Sequence, residues 1–138
     1  MTQRTPTSNI EIVFTDWLDA MRRGDLKTMA NRLSPGVVHE GIRPGMLCRN
    51  REEVLSMIRR QSERLPVPEA IELVAAGDHV VMSVRGPGIG VPADEHSDEP
   101  RGEATVVFTL ERGKIVRMQD YLRRSDALEA VGAGAPWS

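Results

Sequence analysis

The feature that most constrains this chain is the separation of its two hydrophobic periods. Apolar residues recur at helical spacing up to about residue 65 and at every second position from about residue 69 onward. Helix-forming segments followed by a run of alternating strands predict an α+β domain in which helices pack on one face of a mostly antiparallel sheet. A chain of 138 residues suits one such domain, so residues 1–138 are read as a single unit with its ordered core at about 8–132.

Ser8 and Glu11 form a capping-box pair, and Ile10, Val13, Phe14, Trp17, Leu18 and Met21 then follow at helical spacing, predicting a helix over 9–23. Gly24 ends it and Asp25 caps a shorter helix carrying Leu26, Met29, Ala30 and Leu33, which Ser34-Pro35-Gly36 stops. Residues 37–42 read as a strand, Arg43-Pro44-Gly45 as a break, and Asn50 with Glu53 opens a third helix over 51–64. Strands are expected at 69–76, 79–85, 103–111 and 114–122, with turns at Gly77-Asp78 and Arg112-Gly113, and a last helical turn at 126–131. The Gly-, Pro- and acid-rich stretch 86–101 reads as a mobile loop that is a candidate pocket lid.

Composition excludes several classes of function. Eighteen basic and twenty acidic residues leave a net charge of -2, which gives no counterion-release drive toward nucleic acid. One cysteine, Cys48, permits no internal disulfide and no cysteine-based zinc framework, and His39, His79 and His96 show no ligand spacing, so no metal and no cofactor is expected. Gly86, Gly88 and Gly90 lack the following helix that a phosphate loop requires. No apolar run reaches a membrane-spanning length and the first residues lack a signal-peptide core, so a cytoplasmic protein with no membrane partner is expected.

The strings VFTDWLDAMRRGDL (13–26), VVHEGI, RNREEV and VVFTLERGKIVRMQDYLRRSDALEAVG together resemble the nuclear transport factor 2-like superfamily, and within it the SnoaL-like group. The resemblance implies a cystatin-like, cone-shaped barrel: a curved sheet wrapped around three N-terminal helices, with a hydrophobic pocket at its open end and a homodimer formed through the sheet. Ketosteroid isomerases of this superfamily carry a tyrosine, an aspartate base and an aspartic acid where this chain is aligned to hold Trp17, Gly41 and Val106, so that chemistry is not expected. Members similar to limonene-epoxide hydrolase are matched at Arg85 and Asp120 but departed from at Pro87, His39 and Gly41. The superfamily also includes cyclases that need a pocket carboxyl group, which Asp120 supplies, and noncatalytic binders.

Period-two alternation places Asp120 with Val116, Met118 and Leu122 on one face of its strand, and Ile115, Arg117, Gln119 and Tyr121 on the other. A carboxylate on an apolar face is how a general acid or base is made. Asp120, Arg85 and His39 are therefore the candidate catalytic residues. Arg85, grouped with Val81 and Ser83, is placed to orient an oxygen, and His39 is placed to exchange protons opposite Asp120. Trp17, Phe14, Met21, Met57, Met82 and Met118 are the candidate lining of an apolar ligand site, with ordinary core as the default reading of the same stripe. The expected partner is a small hydrophobic molecule. Two readings stand together: an acid/base enzyme of cyclase, isomerase or hydrolase type, and a ligand-binding or dimeric assembly domain of the same fold.

Overall fold

A computed structural model describes residues 8–42, 45–61, 68–87, 89 and 102–132. The first helical stretch, α1, is α-helical over Asn9–Glu11, π-helical over Ile12–Asp19 and α-helical again over Ala20–Arg23. Ser8 Oγ accepts from the Glu11 N–H at 3.2 Å, satisfying one of the orphan donors of the first turn. At the far end Gly24 is left-handed (φ 70°), and the Gly24 and Asp25 amides donate to Met21 O and Ala20 O. This is the pairing of a Schellman motif, in which glycine carries no Cβ penalty.

Asp25 caps α2 (Leu26–Arg32), accepting from the Thr28 amide at 3.1 Å and the Thr28 hydroxyl at 2.7 Å. Those bonds, with the nearby Arg23 and Lys27 charges, hold its carboxyl below the usual carboxylate range. Asn50 caps α3 (Arg51–Gln61) through the Glu53 N–H at 2.9 Å, and the Glu53 carboxylate reaches back to the Arg49 N–H.

The strands are β1 (Leu33–Glu40), β2 (Leu47–Cys48), β3 (Ala70–Ala76), β4 (His79–Arg85), β5 (Glu103–Glu111) and β6 (Lys114–Tyr121), followed by α4 (Arg124–Ala130). They form one curved six-stranded sheet in the order β2-β1-β6-β5-β4-β3, antiparallel except for the β1–β6 pair. Three helices against one side of a curved, mostly antiparallel sheet is the expected architecture.

β1 begins earlier than the sequence suggested. Ser34-Pro35-Gly36, expected to stop the second helix ahead of the strand, lies inside the strand and bulges it: the register against β6 jumps from Leu33↔Ile115 to Val38↔Arg117. Proline offers no ladder N–H, so the irregularity falls where that residue stands. β2, two residues long, carries too little pattern to be read from sequence.

The main core lies between α1–α3 and the inner side of the sheet. Trp17 meets Phe108 edge to face, with ring centroids 6.0 Å apart at 72°, an arrangement that adds about 0.5–1.5 kcal/mol to the burial itself. Met29, Val37, Val54, Val80, Met82 and Met118 complete its centre. A smaller cluster on the outer side packs Val81 and Val107 under Ala127 and Leu128 of α4.

Two expectations on faces are corrected. Phe14 is 46% exposed, because the i→i+5 winding of the π segment buries Ile12, Val13, Trp17 and Leu18 and turns residue 14 outward. Ile115 is fully buried in the main core, because the register slips between Thr109 and Leu110 at the β5–β6 end and puts Ile115 on the same side as Met118. The 86–101 segment lies largely outside the described residues, as do both chain ends.

Candidate functional site

β1 and β6 run side by side in parallel, with His39 level with Met118 and Glu40 level with Gln119. Alternation sends His39 and Asp120 to the inner side, and Glu40 to the outer side, where its carboxylate meets Arg117 Nη2 at 2.7 Å. His39 Nε2 lies 2.9 Å from Asp120 Oδ1. The pair is mostly but not fully enclosed: the side chains are 13% and 24% exposed. It is therefore reachable from outside yet partly withdrawn from water, a setting in which charge interactions are stronger than at an open surface.

The surroundings are apolar and rich in sulfur. Across the sheet Asp120 is level with Val106, which is level with Met82, and Met118 precedes it by two residues. On the other flank Cys48 is level with His39 and its thiol donates to Met57 Sδ at 3.9 Å. Burial pushes the Cys48 thiol above its ordinary pKa, Glu53 and Asp120 push the same way, and Arg60 opposes them. Cys48 is thus a protonated thiol at neutral pH, not an activated nucleophile.

Sequence reasoning had placed His39 opposite Asp120, and the structure brings the two into direct contact. Arg85 does not join them. Its register partner is Glu103, and the Arg85–Glu103 pair lies three positions, an odd number, from the Met82–Val106–Asp120 row, so Arg85 stands on the outer side, 3.6 Å from Glu103 Oε1. The parity of three strands decides this, and the β4 sequence alone does not contain it. Met57, Met82 and Met118 border the pair's neighbourhood, Trp17 is in the core against Phe108, Met21 packs on the core edge, and Phe14 faces away. Cys48 was not singled out in the sequence because the strand that sets it beside His39 is only two residues long.

Among the described residues no group of three or more His, Cys, Asp or Glu side chains is placed to hold a metal ion. No helix among them is long and apolar enough to cross a membrane. An open groove of about 1190 Å³ lies at the opposite end of the sheet, bordered by Ser8, Arg32, Asp78, Arg112 and Lys114. Two of its cations are tied into the fold: Arg32 binds Asp16 at 2.7 Å and Gly113 O at 3.1 Å, and Lys114 Nζ donates to Asn31 O.

The fold is shared with proteins of different kinds. A candidate polyketide cyclase from Pseudomonas putida superposes with a TM-score of 0.61 at 18% identity, over 91% of this chain and 99% of that chain. An LEH-like epoxide hydrolase from M. tuberculosis gives 0.56 at 18% identity, covering 88% of each chain. A de novo designed protein with a curved β-sheet gives 0.61 at 19% identity, over 91% of this chain and 98% of that one. At such identities the likeness carries architecture only, and function has to be argued from the site. A search of curated proteins gives no match. The model of the SnoaL-like domain matches residues 14–118, a span that includes His39 and most of the strand leading to Asp120, and the chain belongs to the SnoaL-like domain family.

Proposed function

We propose that this protein is an acid/base enzyme that moves a proton on a small hydrophobic, polyketide-like molecule, with Asp120 as the proton-transfer group. The observation that carries this reading is the 2.9 Å His39–Asp120 contact, set on the apolar inner side and still partly open. In the proposed step Asp120 takes a proton from a carbon beside a carbonyl and returns it at another position. His39, held to Oδ1, orients the carboxylate and keeps its other oxygen turned toward the ligand. Met57, partly buried against the core, supplies an adaptable apolar wall, with the core side chains of Met82, Met118 and Trp17 and the core-edge Met21 behind it. A hydrolase mechanism relying on an Asp–Arg pair is not favoured, because Arg85 stands across the sheet from Asp120.

The test is deuterium wash-in to 1-tetralone in D2O, followed by NMR. The protein should accelerate exchange beside the carbonyl, and Asp120→Asn, which keeps the size and removes the ionisation, should lower that acceleration by about 10²- to 10⁴-fold. Exchange at the buffer rate with wild-type protein, or undiminished exchange in the variant, overturns the reading. If ketones bind beside His39 without exchange, the ligand-binding alternative takes its place. The reading also has the protein act as a cytoplasmic homodimer. With Ile115 in the core and Val107 under α4, that pairing is supported by family resemblance and not by bare apolar sheet. Light scattering at tens of micromolar that gives the monomer mass of 15.3 kDa would exclude it.

A further inference from the structure

We infer that Met46 selects which apolar skeletons reach the His39–Asp120 pair. The inference deepens the proton-transfer reading of that pair and rests on it. Residues 41 and 46 are clasped: the Gly41 N–H donates to Met46 O at 2.6 Å. A Cβ at position 41 would lie 2.6 Å from Met46 Cβ and 3.2 Å from its terminal methyl. The Met46 side chain therefore folds back over residue 41 and occupies the space that a side chain there would fill. Only glycine allows this close approach.

Position 41 is beside the reactive pair. It follows Glu40, which is level with Gln119, so one more step of the parallel register sets it alongside Asp120. The alternation that turns His39 inward and Glu40 outward turns position 41 inward again. The Met46 thioether thus stands at the edge of the inner side next to the carboxylate. It is 43% exposed, so it borders the opening and does not plug the core.

The chemistry of this rim defines the ligand class. An unbranched thioether at the opening offers dispersion contact and no strong hydrogen bond, which suits the flat hydrocarbon portion of a neutral ring ketone. The carbonyl end of such a molecule then meets the pair. Because Met46 is anchored through its main chain and its side chain is 43% exposed over Gly41, trimming it changes the width of the opening without removing a core contact.

The probes are cyclohexanone, 1-tetralone and anthrone, of increasing ring number, with Kd read from the His39 ring resonance, which a His39→Asn spectrum assigns. In Met46→Ala the Kd ratio of anthrone to cyclohexanone should move by about tenfold, the scale set by a few methylenes in an apolar pocket. Met46→Leu, similar in volume, should move it by no more than about threefold. Ketones that shift His39 equally in all three proteins, with unchanged Kd ratios, overturn the selector role and leave the proton-transfer reading intact. Ketones that shift His39 with ratios moved as expected but undergo no deuterium exchange support the selector and overturn proton transfer. If no ketone shifts His39 in the wild-type protein, both fail.

Discussion

The two ends of the sheet use charge in opposite ways. At the β5–β6 turn, Arg32 is bonded to both Asp16 and the Gly113 carbonyl, and Lys114 to the Asn31 carbonyl, so each cation ties a helix to a strand or turn. At the other end His39 and Asp120 bond to each other, with apolar and sulfur-bearing side chains as their neighbours. The first arrangement is a seam: its charges are consumed in holding the chain. The second leaves proton-exchanging groups available at a partly open edge. The difference shows why the open groove at the β5–β6 turn is not the better site. A groove whose Arg32 and Lys114 are spent on the fold has less left with which to recognise a ligand, whereas a hydrogen-bonded His39 and Asp120 on an apolar side retain chemistry to perform.

The largest expected effect separates the two ends in activity. Asp120→Asn should cost about 10²- to 10⁴-fold in ketone exchange, and Arg32→Met should leave exchange unchanged. Stability should reverse the ranking. Arg32→Met leaves Asp16 and the Gly113 carbonyl without their donor and is expected to cost about 1–3 kcal/mol in urea unfolding. If Arg32→Met abolishes exchange while remaining folded, the groove is part of the site and the contrast between the ends collapses.

A smaller effect comes from Cys48, which reports on the enclosure of the reactive end. Its raised pKa, caused first by burial, means the folded protein holds the thiol proton more tightly than the unfolded chain does. Unfolding stability is therefore unaffected below the unfolded-state cysteine pKa and falls as pH rises from there through the folded-state value. Iodoacetamide should label Cys48 more slowly than free cysteine at the same alkaline pH, with the midpoint of the rate profile displaced upward. In Cys48→Ser that alkaline loss of stability should diminish. A labelling midpoint at or below that of free cysteine would show the His39 flank to be open to water.

Much of this molecule was legible in its sequence, and the exceptions have physical causes. Helix starts at Ser8, Asp25 and Asn50 were readable because a cap is a local bond between residues three apart. The four long strands were readable because alternation persists for several residues. The inward placement of His39 and Asp120 followed from the same rule, and their 2.9 Å contact agrees with it. Arg85 was not readable, since its side depends on register across β4, β5 and β6, and Ile115 was not, since a slip between Thr109 and Leu110 changes parity near the strand start. Met46 and Cys48 escaped because a two-residue strand leaves no periodic trace.

The smallest expected effect concerns Phe14 and tests the winding of α1. Uniform α-helical spacing groups Phe14 with Val13, Trp17, Leu18 and Met21 on the buried face. If that were the winding, Phe14→Ser would excavate the core, at a cost of the order of the 3–5 kcal/mol typical of Phe→Ala. In the structure the Ala20 amide donates to Thr15 O, five residues back, as well as to Trp17 O, and Phe14 is 46% exposed. A side chain so placed loses little when shortened, and Phe14→Ser should change stability by no more than about 0.5 kcal/mol, as surface substitutions do. Trp17→Ala, by contrast, removes the partner of Phe108 and should cost about 3–5 kcal/mol. Urea unfolding of the two variants side by side distinguishes the windings: comparable losses would place residue 14 in the core and require an α-helical turn through it, whereas a large loss at residue 17 alone identifies the π-helical register that faces Trp17 toward the sheet.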